Sequence, residues 1–322
     1  MRAPDYFART GGLGRLLAPL AGLYAAVARL RWRWSQPWRA PIPVICVGNI
    51  TAGGAGKTPV ALALGAQLRG RGRAIHFLSR GYGGRLSGPV QVDRRTHTAR
   101  DVGDEPLLLA DVAPTWIARN RAAGAKAAVA AGATVIVMDD GLQNPSLVKS
   151  LNLVVVDGGF GFGNGRVLPA GPLREPVADG LARADAVILV EPDTVGVAAA
   201  LGDAPIIRAR LVPAAAAQRF ADRNVVAFAG IGRPEKFFAT LGDLGCRIVT
   251  KRSFPDHHDF TPDEIMRLVE RAKAAGATPV TTEKDYARLS RDSQVMVEAL
   301  PVELEWRNPR EIETLLADAL DG

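Results

Sequence analysis

Short apolar runs alternate with longer stretches of helical spacing along this chain. Residues 43–47 (Pro-Val-Ile-Cys-Val) are short and uniformly apolar, which predicts a buried strand. The Ala/Leu-rich run 60–68 behind them predicts a helix. Apolar runs return at 74–79, 134–139, 151–157 and 186–191, and a leucine-rich helix is predicted from Leu107. Alternation of this kind predicts a parallel sheet with helices on both faces. Between residues 212 and 224 the pattern gives way to Ala, Gln and Arg with little period, which marks a domain junction. It restarts with a strand and turn at 225–232, a helix at 234–244, a strand at 247–250 and another closing on charge at 279–285. Ahead of the first strand, Leu13, Leu16, Leu17, Leu20, Leu23, Tyr24, Val27 and Leu30 fall at helical spacing and give a broad apolar face.

The link between the first strand and first helix carries the clearest chemistry. It reads Gly48-Asn49-Ile50-Thr51-Ala52-Gly53-Gly54-Ala55-Gly56-Lys57-Thr58-Pro59. Strand, glycine loop and helix form the context of a phosphate-binding loop. Glycines 53, 54 and 56 let backbone N–H groups turn onto phosphate oxygens, and the helix start adds unpaired donors. Residues Thr51, Ala52, Gly53, Gly54, Ala55, Gly56, Lys57 and Thr58 are the expected nucleotide cradle. Lys57 would reach the β- and γ-phosphates of ATP, and the Thr58 hydroxyl would sit on Mg²⁺. The first glycine of the usual spacing is replaced by Thr51. Downstream, the run ending in Asp139-Asp140-Gly141 reads as a Walker B element, with Asp139 or Asp140 holding Mg²⁺. The expected fold is therefore α/β: a P-loop NTPase-like, doubly wound, mostly parallel sheet over 41–220, a smaller α/β domain over 221–322, and an N-terminal amphipathic helix within 1–40.

Charge changes the reading of that helix. The 322 residues carry a net charge of +7, mostly an arginine excess, which suits an anionic partner. Arg2, Arg9, Arg15, Arg29, Arg31, Arg33 and Arg39 flank the helix against one acid, Asp5, and Trp32, Trp34 and Trp38 cluster at its end. Tryptophan favours the headgroup zone and arginine favours anionic lipid, so an anionic membrane surface is the expected partner. The apolar stretch 16–28 contains Pro19 and falls short of the roughly twenty residues a spanning helix needs. A signal peptide is set aside because the phosphate loop follows directly and needs cytosolic ATP. Packing of the same helix on the domain is the plainer reading, and one helix can do both. Two distant cysteines, Cys46 and Cys246, point to no disulfide framework or metal site and to a reducing compartment.

Other stretches carry weaker signals. Arg80-Gly81-Tyr82-Gly83-Gly84-Arg85 is a basic loop at a strand's C-terminal end, where α/β sheets bind ligands. Asp101-Val102-Gly103-Asp104-Glu105-Pro106 reads first as a helix start, since acids and proline suit that position. A carboxylate pair facing phosphates is the alternative. Residues 158–176 are long, rich in Gly and Pro and without period, the profile of a functional loop, and Arg174 in it is a candidate phosphate clamp. His257 and His258 lie in Phe254-Pro255-Asp256-His257-His258-Asp259-Phe260, where the acids also serve as helix caps. Thr282-Glu283-Lys284-Asp285 lacks the spacing of a guanine-reading motif.

Together these pieces resemble the tetraacyldisaccharide 4′-kinase family of lipid A synthesis over nearly the whole chain. The resemblance rests on Gly-Gly-Ala-Gly-Lys-Thr-Pro at 53–59, Ser-Arg-Gly-Tyr-Gly-Gly at 79–84 and Gly-Asp-Glu-Pro at 103–106. Asp-Asp-Gly-Leu-Gln at 139–143, Pro-Leu-Arg-Glu at 172–175, Phe-Pro-Asp-His-His at 254–258 and Thr-Glu-Lys-Asp at 282–285 complete it. It implies phosphoryl transfer from ATP, with Mg²⁺, to the 4′-hydroxyl of an acylated glucosamine disaccharide 1-phosphate, giving lipid IVA at the cytoplasmic face of the bacterial inner membrane. It also implies that Asp104 is the catalytic base, supported by His257, which reverses the helix-start reading. Glu105, Asp139 and Asp140 match acids near metal or nucleotide, and Arg174 and Glu175 match active-site residues. Asn144 stands where the family commonly has histidine. No nucleic acid and no obligate protein partner are implied. A membrane-recruited ATPase switch and a soluble small-molecule kinase are the rival readings.

Overall fold

The computed structural model describes residue 7 and residues 12–321. Arg2, Asp5 and Arg9 of the basic N-terminal stretch, and the Leu13 side chain, lie outside the described residues. Among the described residues thirteen strands form two sheets. The larger holds β1 (Val44–Gly48), β2 (Ile75–Ser79), β3 (Val90–Gln91), β4 (Thr115–Ile117), β5 (Val135–Asp139), β6 (Leu151–Asp157), β7 (Ala186–Glu191), β8 (Ile206–Pro213) and β13 (Val302–Trp306). The smaller holds β9 (Asn224–Ala229), β10 (Arg247–Ser253), β11 (Thr278–Thr282) and β12 (Glu298–Leu300).

The larger sheet runs β13-β8-β7-β6-β1-β5-β2-β4-β3 and is parallel except at its two edge strands. β1 lies between β5 and β6, so the chain leaves it at the crevice where open α/β sheets bind ligands. Uniformly apolar runs become strands buried on both faces, as parallel sheets require. Ile45 and Val47 pack with Val60, Ala61, Leu64 and Leu68 of the helix Lys57–Gly70. On the opposite face Val44 meets Ala125 and Ala128 of the helix Arg121–Ala130. Gly65 allows the first helix to lie close: a Cβ there would stand 2.3 Å from the Phe77 ring.

The smaller sheet is also parallel, in the order β10-β9-β11-β12. Alternation along β9 decides its two faces. Val225, Ala227 and Ala229 pack with Phe237, Phe238 and Leu241 of the helix Pro234–Asp243. Val226 and Phe228 pack with Ile265, Leu268 and Val269 of the helix Pro262–Ala274.

The C-terminal end differs from the expected 221–322 unit. β13 leaves the smaller sheet and pairs antiparallel with β8 at the edge of the larger one. The helix Pro309–Asp321 then buries Ile312 and Leu316 in the core that holds Ile45 and Leu64. The physical reason is an apolar helix face and the partly buried Leu304 and Trp306, which find cover on the larger core. Two adjacent strand ends thus connect the units, tied by a hydrogen bond from Ala214 N to Pro301 O of 3.0 Å.

The N-terminal segment is the helix Ala18–Arg33 behind a short turn Gly12–Leu16. It turns a small-residue face inward, burying Ala21 and Ala25. Its large apolar residues point to solvent instead, with Leu16 78%, Leu23 63% and Val27 58% exposed. Arg29 pairs with Asp179 at 2.6 Å, and Trp32 lies beneath the cations of Lys149 and Arg183. Among the described residues no helix is long and apolar enough to cross a membrane.

Candidate active site

The glycine loop folds back from β1 as its spacing predicts. Gly53 and Gly56 take φ of +115° and +90°, a region closed to most L-residues, and Gly56 directly precedes the helix Lys57–Gly70. A Cβ on Gly53 or Gly54 would meet open space, so the loop is unobstructed on that side. The buried Asn49 holds the loop's entry by donating from Nδ2 to Thr51 O at 2.7 Å and to Thr51 Oγ1 at 3.2 Å. Thr51, in place of the first glycine, pairs with Leu173 in an isolated bridge. Ala52 N donates to Pro172 O and Arg174 N to Ile50 O, each at 2.7 Å. The aperiodic loop 158–176 is therefore stitched along the phosphate loop, which brings Arg174 to Asp140.

The acids at the end of β5 divide the work of charge. Thr58 Oγ1 donates to Asp139 Oδ2 at 3.2 Å, and Asp139 Oδ1 is buried without a hydrogen-bond partner. Burial, reinforced by the neighbouring Asp140, pushes the Asp139 carboxyl up to about 6 although Lys57 opposes the rise. Asp140 is held down to about 2, because Lys57 and Arg174 outweigh its burial. Arg174 Nη1 lies 2.7 Å from Asp140 Oδ1, and Lys57 Nζ lies 3.6 Å from the same atom and 3.2 Å from Asn49 Oδ1. An orphaned buried carboxylate oxygen beside a threonine hydroxyl is a hard-oxygen donor set that fits Mg²⁺. Glu175 is turned away from these groups: it accepts from Gln143 at 2.8 Å and pairs with Arg183 at 2.5 Å. Asn144 uses its side-chain oxygen within its own turn, accepting from Ser146 N and Oγ.

A second cluster forms where Asp104 and Glu105 of the larger unit meet His257, Lys284 and Arg288 of the smaller one. Gly103, with φ of +89°, breaks the chain between the turn Ala99–Val102 and the helix Asp104–Leu109, which starts before the expected Leu107. A Cβ on Gly103 would stand 2.4 Å from Tyr82 O, so the Tyr82 loop packs directly against the start of that helix. Asp104 is buried, and its Oδ2 lies 3.2 Å from His257 Nδ1, 3.1 Å from Arg288 Nε and 3.8 Å from Lys284 Nζ. Burial works to raise the Asp104 carboxyl, but the hydrogen bonds from Glu105 and His257 and the Lys284 and Arg288 charges win, so it is lowered well below the carboxylate range. Glu105 moves the other way, up to about 7, through burial and its hydrogen bond to Asp104. Lys284 contacts Glu105 at 2.7 Å and is held charged by both acids against its burial. Asp104, Glu105 and His257 are spaced to hold a cation, but Lys284 and Arg288 already supply positive charge there.

Lys284 is within electrostatic reach of Asp139, where its charge opposes the effect of burial. A Cβ on Gly232 would stand 4.0 Å from the Gly54 amide nitrogen. Of the residues expected from sequence, Lys57, Thr58, Asp139, Asp140 and Arg174 share one cluster, while Asp104, Glu105 and His257 share the facing one. Lys284, Arg288, Asn49 and Gln143 were not assigned roles from sequence. Lys284 lies in the Thr-Glu-Lys-Asp stretch at a charged strand end, and Arg288 stands four residues on with no signal of its own.

A glycine cradle at the end of β1, faced by a buried carboxylate with its own cations, defines a P-loop phosphotransferase. Within that class, the family model for Tetraacyldisaccharide-1-P 4′-kinase matches residues 13–321, and the chain belongs to that family. It is 55% identical to the Tetraacyldisaccharide 4′-kinase of Rhodospirillum centenum over 100% of this chain and 98% of that protein. The corresponding protein of Rhodospirillum rubrum is 53% identical over 98% of this chain and 97% of its own length. The structure is similar to that of LpxK from Aquifex aeolicus, determined in complex with ATP, with a TM-score of 0.78 and 26% identity over 96% of this chain and 99% of that one.

Proposed function

We propose that this kinase moves the γ-phosphoryl group of ATP to the 4′-hydroxyl of a tetraacylated glucosamine disaccharide 1-phosphate, forming lipid IVA. Family membership supports the reaction, and the Asp104 cluster, set beside the phosphate loop where Gly232 approaches Gly54, carries the chemistry. The loop 51–58 cradles the phosphates through its backbone, and Lys57 shifts from Asn49 and Asp140 onto them. Asp139, Asp140 and Thr58 would hold Mg²⁺, which offsets charge on the β- and γ-phosphates when bound. Arg174 adds a fork of donors to the same oxygens. Asp104 takes the proton of the sugar hydroxyl, and His257 orients that carboxylate. Glu105 answers to Lys284 and sets the charge beside the base. The test is incubation with γ-labelled ATP and a tetraacylated disaccharide 1-phosphate. Label is expected in a glycolipid bearing a second, acid-stable phosphate monoester. ATP hydrolysis with no labelled lipid would instead support the switch reading.

The substrate's acyl chains remain in the bilayer, so we place the enzyme peripherally at the cytoplasmic face of the inner membrane. The outward leucine face of the helix Ala18–Arg33 supports this, because contiguous exposed apolar residues beside arginines suit an anionic interface. Replacing Leu20, Leu23 and Val27 together with glutamate is expected to release the protein from anionic vesicles. Burial of one such side chain contributes about 1.5–3 kcal/mol, so recovery in the sedimented fraction should fall at least about tenfold. Affinity for ATP should not change. Unaltered sedimentation would sink the anchoring role of this face.

A further inference from the structure

The turn 230–233 touches three parts of the molecule. At its start, Gly230 O accepts from His257 N at 3.1 Å and from Arg288 Nη2 at 3.1 Å, and Gly230 N donates to Asp285 Oδ2 at 3.0 Å. In its middle, Gly232 approaches Gly54 of the phosphate loop. At its end, Arg233 forms an ion pair with Asp157. Lys236, one helical turn on, donates to both Asp157 oxygens at 2.9 and 2.8 Å. Asp157 is buried at the C-terminal end of β6, beside β1 and on the sheet edge from which the phosphate loop leaves. Its own loop holds it, since Gly159 N donates to Oδ1 at 2.8 Å, and Phe160 places its ring 5.9 Å from the Arg233 guanidinium.

We propose that Asp157 is a positioning residue for phosphoryl transfer: it grips Arg233 and Lys236 from the larger unit and so fixes the turn that carries His257 and Arg288 against the phosphate loop. The inference rests on the kinase reading above. Its basis is connectivity. The covalent links between the units run through β8 and β13 at the sheet's edge, whereas Asp157 lies two strands further in, next to the chemistry. The hydrophobic cores of both units are built without these three side chains. The contact therefore joins the units rather than holding either one folded. Two cations on one carboxylate also explain why the pairing is specific: without Asp157 the cations repel each other and the turn is released. A shift of about 1 Å in reacting groups costs on the order of a hundredfold in rate.

The test is a mutant cycle on the full chain in the lipid kinase assay. Asp157→Asn keeps the acceptor for Gly159 N and removes the charge, and Arg233→Ala with Lys236→Ala removes the partners from half-exposed positions. Each variant is expected to lower kcat by about ten- to a hundredfold, with KM for ATP and for lipid within roughly threefold. The triple variant should be no slower than either parent, because all three groups act as one contact. Unchanged kcat, additive losses, or a rise in KM for ATP at full kcat would overturn the proposal, the last by making Asp157 a nucleotide contact. So would loss of kcat in step with a fallen thermal midpoint. If the unmutated enzyme labels no lipid, the kinase reading fails and not the positioning role alone.

Discussion

Asp104→Asn is expected to lower kcat by about 10²–10⁴-fold while KM for ATP stays within roughly threefold. The asparagine is nearly isosteric with the aspartate, so the cluster keeps its packing. What it loses is a site for the proton of the sugar hydroxyl. The local charges make Asp104 a weak base, because His257, Lys284 and Arg288 stabilise its carboxylate. That suits a loose transition state, in which little bond to the nucleophile has formed and its proton leaves late. The same charges keep the group ionised at neutral pH, so it is always ready to accept. ATP binding depends on the loop 51–58, which Asp104 does not contact, and equilibrium nucleotide binding should survive the change. A variant that turns over lipid at the normal rate would remove Asp104 as the base.

The contrast between the two halves of the site shows what sequence makes legible. The phosphate loop is a local device: its glycines, lysine and threonine act within eight residues, so spacing alone predicts Lys57 and Thr58. The Walker B acids are local as well, since an apolar run closing on Asp139 must place that carboxylate at the sheet edge. Asp104 is different. Its neighbours in sequence read as an ordinary helix start, and Asp101 does serve that purpose in a capping box with Thr98. Only His257, Lys284 and Arg288, which arrive from the other unit, turn Asp104 into a charged site, and no local pattern encodes that meeting. The role proposed for Asp104 rests on family resemblance, because spacing does not encode it. The N-terminal helix was legible in period but not in direction, because small residues rather than leucines meet the protein. The return of Pro309–Asp321 to the larger core was hidden for a related reason: an amphipathic helix states that it needs cover but not which core provides it.

Arg288 is the residue on which the second cluster depends most. Its side chain is 7% exposed, and it spans two buried carboxylates, Asp104 through Nε at 3.1 Å and Asp285 through Nη2 at 3.0 Å. It also donates to the carbonyls of Gly230 and His258. Arg288→Ala leaves both acids without this cation, and breaking a buried pair by removing one partner costs about 3–5 kcal/mol. The stability loss should appear in urea unfolding of the smaller unit. The rate should respond to pH with a definite sign. Arg288 is one of the groups that lower the Asp104 carboxyl, with the hydrogen bonds from Glu105 and His257 and the Lys284 charge, so its removal lets burial raise that group. Less of the basic form is then present on the acid side, and the activity lost at mildly acidic pH should be partly recovered as pH rises. Arg288→Lys keeps the charge but loses the planar fork, so it should restore the pH profile more fully than the stability. A loss of activity in Arg288→Ala that is the same at every pH would mean that Arg288 supports the fold and has no part in setting the charge of the base.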